Sequence, residues 1–437
     1  MNARFMLRNN TLRAAAGLLL AAGLFLNAQD DPKQRVKAVH ELGKGGSEAL
    51  PKLGPYLSDP VLEVRVEAVK AIAEIGTQRS LDLLIKATAD NDPEIQIRAT
   101  DGLVNFYLPG YATTGVGASF RRIGSSIKSK FTDTNDQVVD AYIKARPEVV
   151  KALGRLARGG GTMEARANAA RAVGILRGRE AIPDLVEALH SKDSQVIYES
   201  LIAIQKIRDP SAGPSLAFLL RDLDEKVQVA AIETTGLLGN RAALNDLRDV
   251  LDRSKKMSVK RAALTAMAQM PDPQLHGVYT SRLEDKDEGI REAAAEGIAR
   301  LKNPADRPRV ESSFGSEKKT GPRLSLSFAL VSLGKLDMGE LDPLRYLVNN
   351  LNSAAYRGVS RAYLTELARD PATRKALYPV LQESTATKDE KSGLADVLAV
   401  SGDRDAIPPL EALSKDTTPE VSEAALRALR NLHARLP

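Results

Sequence analysis

From about residue 47 to the C-terminus, apolar residues recur at helical spacing in blocks of roughly 31 to 34 residues. The same positions return in each block: Val64-Arg65 before Ala68, Ala165-Arg166 before Ala169, Val196 before Ser200, Val227 before Ala231, Val259 before Ala263, Ile290-Arg291 before Ala294 and Val421 before Ala425. From 165 to 290 the steps are 31, 31, 32 and 31 residues. A unit of this length cannot bury its apolar face alone, so neighbouring units must stack into one continuous core with a long exposed surface.

Each block reads as a helix A, a turn rich in Asp and Pro, and a helix B. Ala181 to Ser191 carries Ile182, Leu185, Val186 and Leu189 at helical spacing, and Ser194 to Ile207 is its partner. In Ser58-Asp59-Pro60 and Asn91-Asp92-Pro93 the Asp is placed to cap the first free amides of helix B, while Pro at the first helical position gives up only an unpartnered N–H. Thr418-Pro419 repeats this near the end. Gly76, Gly178 and Gly239 follow B helices, where a left-handed residue closes the last turn. The pattern predicts a leading helix over Lys33 to Leu42, then about eleven A/B pairs, the last ending at Leu432. Residues 303 to 355 are the least regular, and Ser312-Ser313, Gly315 and Ser316 to Thr320 predict a long turn or a frayed helix there. The fold class is therefore all-α: a right-handed α-solenoid of stacked antiparallel helix pairs, about 100 Å long at ordinary helix spacing.

Ala181-Ile182-Pro183-Asp184-Leu185-Val186-Glu187-Ala188-Leu189, followed by an Asp turn and a helix such as Val64 to Ile72, resembles the HEAT-repeat family, especially the short bacterial repeats named after phycobilisome lyases. The resemblance covers nearly all of the chain after residue 28. It implies a superhelix whose B helices line the concave face, and it places the exposed side chains of those helices at the partner surface. It concerns the repeat unit and not any catalytic residue, so no bilin-lyase activity is carried over.

Within the repeat, Arg65, Arg98, Arg166 and Arg291 are read as one aligned position, and Asp59, Asp92, Asp193 and Asp224 fall in the preceding turns. They form either a ladder for acidic ligands or structural support in which the Asp of one turn pairs with the Arg of a neighbour. The second is the expectation.

The period fails between Val104 and Pro147. Phe106, Tyr107, Tyr111, Phe120, Phe131 and Tyr142 gather there, and residues 109 to 131 carry Arg121, Arg122, Lys128 and Lys130 without an acid. Phe120, Ile123, Ile127 and Phe131 share one face of a helix. These residues form a candidate contact, with residues 107–131 lying on an anionic membrane surface or gripping an acidic partner. In the alternative, the apolar face folds back and the aromatics fill a wedge between two separated repeats. The chain then divides into 29–106, the 107–147 insertion, and 148–437.

Arg4, Arg8 and Arg13, the apolar stretch Ala14 to Leu26 and Ala28 read as a secretory signal over residues 1–28, with cleavage near Ala28. The expected location is periplasmic or secreted; an uncleaved anchor is the alternative. Removing those residues takes away three Arg and no acid, leaving 59 basic against 56 acidic residues, a balance that does not favour nucleic acid. With no Cys, disulfides and thiol chemistry are excluded. The His residues, at 40, 190, 276 and 433, are spread along the array, so no metal site is expected. No nucleophile elbow or P-loop is present, and Gly159-Gly160-Gly161-Thr162 reads as an A-to-B turn. These observations predict a non-catalytic scaffold that binds protein or peptide and needs no cofactor. The last helix carries Val421, Ala424, Ala425, Leu426, Ala428, Leu429 and Leu432 with no further capping helix, which leaves self-association through the C-terminal edge open.

Overall fold

The computed structural model describes residues 31–111, 137–140 and 142–436. Among them every regular element is a helix. A leading helix α1 (Pro32–Gly43) precedes eleven pairs among the described residues. The first four are α2 (Leu50–Leu53) with α3 (Leu62–Ile75), α4 (Ser80–Ala87) with α5 (Pro93–Tyr107), α6 (Pro147–Gly159) with α7 (Met163–Ile175), and α8 (Ile182–Ala188) with α9 (Ser194–Ile207). The fifth pairs a 3-10 segment (Pro210–Arg221) with α10 (Glu225–Leu237). Pro214 lies inside that segment, removes a donor and keeps it from winding as an α-helix. The remaining pairs are α11 (Leu244–Arg253) with α12 (Met257–Ala268), α13 (His276–Thr280) with α14 (Glu288–Leu301), α15 (Arg307–Ser316) with α16 (Thr320–Ser332), α17 (Pro343–Asn349) with α18 (Arg357–Leu367), α19 (Pro371–Leu377) with α20 (Lys388–Ser401), and α21 (Ile407–Leu413) with α22 (Pro419–Arg435).

The chain forms two compact units, Met1–Ser215 with Asp222–Ala230, and Leu216–Arg221 with Ala231–Pro437. Within the first, B helices stack in the order α3, α5, α7, α9; within the second, α12, α14, α16, α18, α20, α22. Each B helix turns its Val and Ala positions inward. Val64, Ala68, Ala165, Ala169, Val196, Val259, Ala263, Ala294, Val421 and Ala425 are at most 1% exposed. Small side chains at these sites let helices approach until only hydrogen fits between them. A Cβ on Gly174 would sit 2.8 Å from the Ala203 Cα, and one on Gly236 would sit 2.6 Å from the Ala266 Cα.

Four local expectations change. Gly76 and Gly239 do take left-handed φ (55° and 66°), but after α7 that conformation falls on Arg177 (φ 51°) and Gly178 stays at φ −75°. Gly178 is required by space: a Cβ there would meet the Val150 Cγ1 at 2.4 Å. Asp92 caps α5 with Pro93 behind it, whereas at the first turn Val61 is the N-cap and Asp59 accepts the Val61 N–H at 2.9 Å. Thr418 stands at the N-cap of α22 without a side-chain cap bond. The predicted frayed stretch around 312–320 is instead the regular end of α15, and the turn is only residues 317–319. Val310 and Phe314 anchor α15 in the core, and Ser316 returns its hydroxyl to the Ser312 carbonyl at 3.1 Å. The irregular backbone lies further on, at 333–342.

The apolar residues of α22 point into the stack. Val421, Ala424, Ala425, Ala428 and Leu432 are buried, Leu426 is exposed, and Glu423, Arg427, Arg430 and Asn431 form the outward face.

Candidate functional site

The A-to-B turns carry a recurring polar assembly. On each side of a turn, one residue sits two positions before the N-cap and accepts the N-cap N–H. Asp90 accepts from Asp92 at 2.8 Å, Asp222 from Asp224 at 2.8 Å, Asp285 from Asp287 at 2.9 Å and Asp416 from Thr418 at 2.9 Å. At the turns of Asp59, Asp90, Glu317 and Asp416 a cation on the preceding helix of the stack grips that carboxylate. Arg35 meets Asp59 through Nε and Nη2 at 2.9 and 3.2 Å, Arg65 meets Asp90 at 2.9 and 3.3 Å, Arg291 meets Glu317 at 2.7 and 3.3 Å, and Lys391 meets Asp416 at 3.0 Å. The sequence offsets are 24, 25, 26 and 25. The same guanidinium also reaches back six residues to its own turn: Arg65 Nη1 donates to the Asp59 carbonyl at 2.9 Å and Arg291 Nη1 to the Asp285 carbonyl at 2.8 Å. One side chain thereby satisfies turn carbonyls and fixes the next repeat against its own.

Charge follows this geometry. Burial raises the Glu317 carboxyl, but hydrogen bonds from Arg291 and from the Lys319 and Lys318 amides outweigh it and hold it below its usual value. The Thr418 amide and the Lys391 ammonium lower Asp416. Asp287 is lowered first by Arg261, which pairs with it by a bidentate contact.

The ladder members differ from those read off the sequence. Asp92, Asp193 and Asp224 are helix caps: their Oδ1 atoms accept the N–H of Glu94, of Gln195 and Val196, and of Lys226 and Val227. Only Asp59 of that set is also a rung. In α5 the aligned position is Gln96, not Arg98, because the buried Val64 of α3 corresponds to the buried Ile95. Gln96 makes the six-residue reach, Nε2 to the Asp90 carbonyl at 2.6 Å. Arg98 instead pairs with Glu94 one turn back at 2.7 Å. Two apolar residues two apart, Ile95 and Ile97, hid this shift.

Three consecutive rungs of the first unit can now be matched to their turns. Arg65 faces the carboxylate of Asp90. Gln96 faces Gly159-Gly160-Gly161, which has no carboxylate, and its Oε1 accepts the Gly161 N–H at 2.9 Å. Arg166 faces Ser191, at the same offset as Arg65 to Asp90, and finds a hydroxyl already accepting the Asp193 N–H at 3.2 Å. Arg166 turns aside, Nε to the Ala157 carbonyl at 3.1 Å and Nη1 to the Met163 Sδ at 3.5 Å. Beside it opens a cavity of about 560 Å³ lined by Arg158, Arg166, Glu187, His190, Ser191 and Lys192, among others.

A second row, not read from the sequence, crosses the B helices. His40 meets Glu67 at 2.8 Å, Asn168 donates to Asp101 at 3.2 Å, and Arg171 pairs with Glu199, which also accepts from Gln195 at 2.9 Å. Burial alone would lower the Arg171 guanidinium; Glu199 overrides it and raises it, with a contribution from Tyr111. In the second unit the row becomes a network that spans α16. Tyr363 of α18 donates to Glu296 of α14 at 2.6 Å and meets Ser325 of α16 at 2.8 Å, while Arg300 bridges Glu296 and Glu366 at 2.9 Å each. Phe328 stacks on Tyr363 at 4.6 Å. Burial, then Glu296, hold the Tyr363 phenol well above its usual value, against the lowering effect of Ser325 and Arg300. On the same helix Glu292 is half-buried, and burial, then Glu296 and Glu288, raise its carboxyl.

Of the insertion residues, Phe106, Tyr107 and Tyr111 are described; Phe120, Arg121, Arg122, Ile123, Ile127, Lys128, Lys130 and Phe131 lie outside the described residues, as does the signal segment 1–28. Phe106 and Tyr107 meet edge to face at 4.9 Å, and the Tyr107 hydroxyl accepts the Arg146 N–H at 3.0 Å. Among the described residues the repeats on either side of the insertion are not separated. α5 and α7 pack directly, joined by Gln96 to Gly161 and Asp101 to Asn168, so the stack is continuous across the interruption. The described ends of the insertion rest on α7 and α9, with the Val139 N–H on the Ile175 carbonyl at 3.0 Å and Lys206 Nζ on the Gln137 carbonyl at 3.2 Å.

Among the described residues no group of three or more His, Asp or Glu is placed to hold a metal ion, and no helix is long and apolar enough to cross a membrane. His40 and His276 meet different carboxylates, Glu67 and Asp306.

The sequence matches the family described as HEAT repeats over residues 21–104 and 214–276, and the PBS lyase HEAT-like repeat over residues 165–191. No curated protein matches it. Similar solved structures include the CpcE–CpcF complex of phycocyanin lyase from Nostoc sp. PCC7120, with 18% identity over 61% of this chain and 92% of that one at a TM-score of 0.36. Human deoxyhypusine hydroxylase shares 19% identity over 66% of this chain and 97% of its own, at 0.27. Importin beta shares 13% identity over 97% of this chain and 66% of its own, at 0.46. At these scores the likeness does not extend to any relative's activity.

Proposed function

Because this chain is a HEAT-repeat protein, we propose that it is an exported, non-catalytic scaffold that binds protein or peptide partners along the exposed face of its B helices. The observation that carries the reading is the distribution of exposed apolar residues. Met163, Leu237, Met257, Val359, Val400 and Leu426 all lie on B helices, at 37 to 60% exposure. Among the described A elements only the 3-10 segment of the fifth pair exposes a large apolar residue, Phe218 at 49%. Solvent-facing apolar side chains on the B helices suit a partner surface. The basic and then apolar segment over residues 1–28 supports export.

A photo-crosslinking residue at Val359 or Val400, in cells that express the protein, should capture one discrete partner band. The same residue at Arg248, on α11, should not. Equal capture from both faces, or none from α18 and α20, would sink the reading. Export is checked by the mass of the mature chain in envelope fractions, which should begin near Gln29.

A second reading rests on the continuity of the stack across the insertion, which frees residues 107–131 from a role in closing it. Under it, Arg121, Arg122, Lys128 and Lys130 hold the protein on anionic lipid. Replacing all four by Glu should abolish flotation with anionic vesicles while helical content stays unchanged.

A further inference from the structure

The rung at Arg166 is built to hold a carboxylate that the chain does not supply. Its neighbours show what the position selects. In the rungs of Arg35, Arg65 and Arg291, a guanidinium holds a carboxylate side-on through Nε and Nη2. Where a turn lacks a carboxylate, at Gly159-Gly160-Gly161, the rung residue is Gln96, whose neutral amide suits the N–H on offer. Arg166 breaks this matching: a permanent cation faces the hydroxyl of Ser191. Among the described residues its Nη2 makes no hydrogen bond.

The surroundings add further positive charge. The cavity of about 560 Å³ at this rung is lined by Arg158, Arg166 and Lys192 against the single carboxylate of Glu187, with His190 alongside. Arg158 is held by Asp184 at 3.1 Å and keeps half of its side chain exposed. Lys192 stands in the turn itself, beside the Asp193 cap, and is exposed. An anion entering the cavity therefore meets the exposed Arg158 and Lys192 as well as the half-buried Arg166. One carboxylate fills only a small part of this volume, so consecutive acidic side chains fit it better than a lone ion.

We propose that this open rung binds the side-chain carboxylates of an acidic peptide segment, which completes the ladder in trans. The contact centres on the turn edge and shares Met163 with the exposed B-helix face, but it is read by carboxylate binding and not by partner capture, so its failure is distinguishable from that of the scaffold reading above.

The test uses fluorescein-labelled hexaglutamate and the full chain, read by fluorescence anisotropy at low salt. Binding is expected, with competition by unlabelled hexaglutamate, none by hexaglutamine, and weakening as salt rises. The decisive variant is Ser191→Asp, which supplies the missing carboxylate from within. It should weaken peptide binding by about tenfold or more while the melting temperature stays unchanged or rises. Arg166→Gln should weaken binding similarly. Wild-type protein that ignores hexaglutamate, or Ser191→Asp protein that binds it as well as wild type, overturns the proposal. So does inorganic phosphate that displaces the peptide at equal concentration and loses its own binding in Ser191→Asp, since the site would then take a small anion.

Discussion

The rungs at Asp90 and Ser191 occupy equivalent places in the first unit, yet one is closed and the other open. At Asp90 the carboxylate takes the Asp92 N–H and the Arg65 guanidinium together, and both partners are largely covered, at 12% and 18% side-chain exposure. At Ser191 the hydroxyl takes the Asp193 N–H and leaves Arg166 to a backbone carbonyl and a thioether. Capping the turn and tying one repeat to the next are thus separable tasks. Any acceptor two residues before the N-cap can do the first; only a carboxylate can also do the second when the facing residue is Arg. A repeat protein tolerates an untied rung because each unit is also held by its neighbours' apolar contacts. At this rung the outer surface differs from that at Asp90, while Ala165 and Ala169 stay buried as Val64 and Ala68 do.

The comparison is broken most severely by mismatching a closed rung. Gln96 is 6% exposed and joins the Asp90 carbonyl to the Gly161 N–H. Gln96→Glu removes the donor and places a carboxylate in a covered site beside Asp90 with no cation to meet it. A cost of about 3 kcal/mol is expected, or a fall of about 6 to 12 °C in the melting temperature of the first unit. The penalty should shrink in acid, because the new carboxyl can be neutralised there. Calorimetry across pH checks both statements; a penalty constant with pH would place the damage elsewhere.

Opening the closed rung comes next. Asp90→Ala leaves the Arg65 guanidinium without its carboxylate and the Asp92 N–H without an acceptor, which should cost about 2 kcal/mol. Ser191→Ala, which removes a 3.2 Å hydroxyl acceptor at an already untied rung, should cost about 0.5 kcal/mol. Denaturant melts of the two variants side by side measure the difference. Equal losses would mean that Arg65 gains nothing from Asp90 beyond capping.

How far the sequence discloses these sites depends on what carries the signal. The helix pairs were legible because Val64, Ala68, Val196, Val227 and Ala294 repeat at fixed spacing and packing density admits few substitutes at such places. α9 falls on Ser194–Ile207 as the pattern predicts. Polar rungs were only half legible. Arg65 and Arg166 stand out, but their partners sit two residues before the Asp caps, and Asp90 and Asp92 are indistinguishable by composition. In α5 the doublet Ile95 and Ile97 offered two alignments, and only burial shows that Ile95 faces the core. The bridge from Tyr363 and Glu366 to Glu296 and Arg300 was beyond reach, because it skips a repeat and needs α16 to be recessed. The Ser191 rung could have been found: Asp59, Asp90, Asp222, Asp285 and Asp416 precede their helices by the same interval, and Ser191 departs from them. That comparison becomes meaningful only once the carboxylate, and not the capping Asp, is known to be the rung.

Ser191→Asp closes the open rung, with an effect as small as that of Ser191→Ala and of opposite sign. The new carboxylate would lie within reach of Arg166, as Asp90 lies within reach of Arg65, while Lys192 and Arg158 add favourable charge. An exposed-edge ion pair of this kind is expected to stabilise by about 0.5 kcal/mol at neutral pH. The sign of its pH dependence follows from the closed rungs. Glu317 and Asp416 have carboxyls held below their usual values by facing cations and turn amides, so their stabilisation is present above the unfolded carboxyl value and is lost as pH falls through the folded one. The same must hold for a carboxylate placed at 191. The variant should therefore melt above wild type near neutrality and converge with it below about pH 4, where an unfolded Asp carboxyl becomes protonated. A gain that persisted in acid would mean the Asp acts through capping alone, and the analogy between the two rungs would fail at the Arg166 guanidinium.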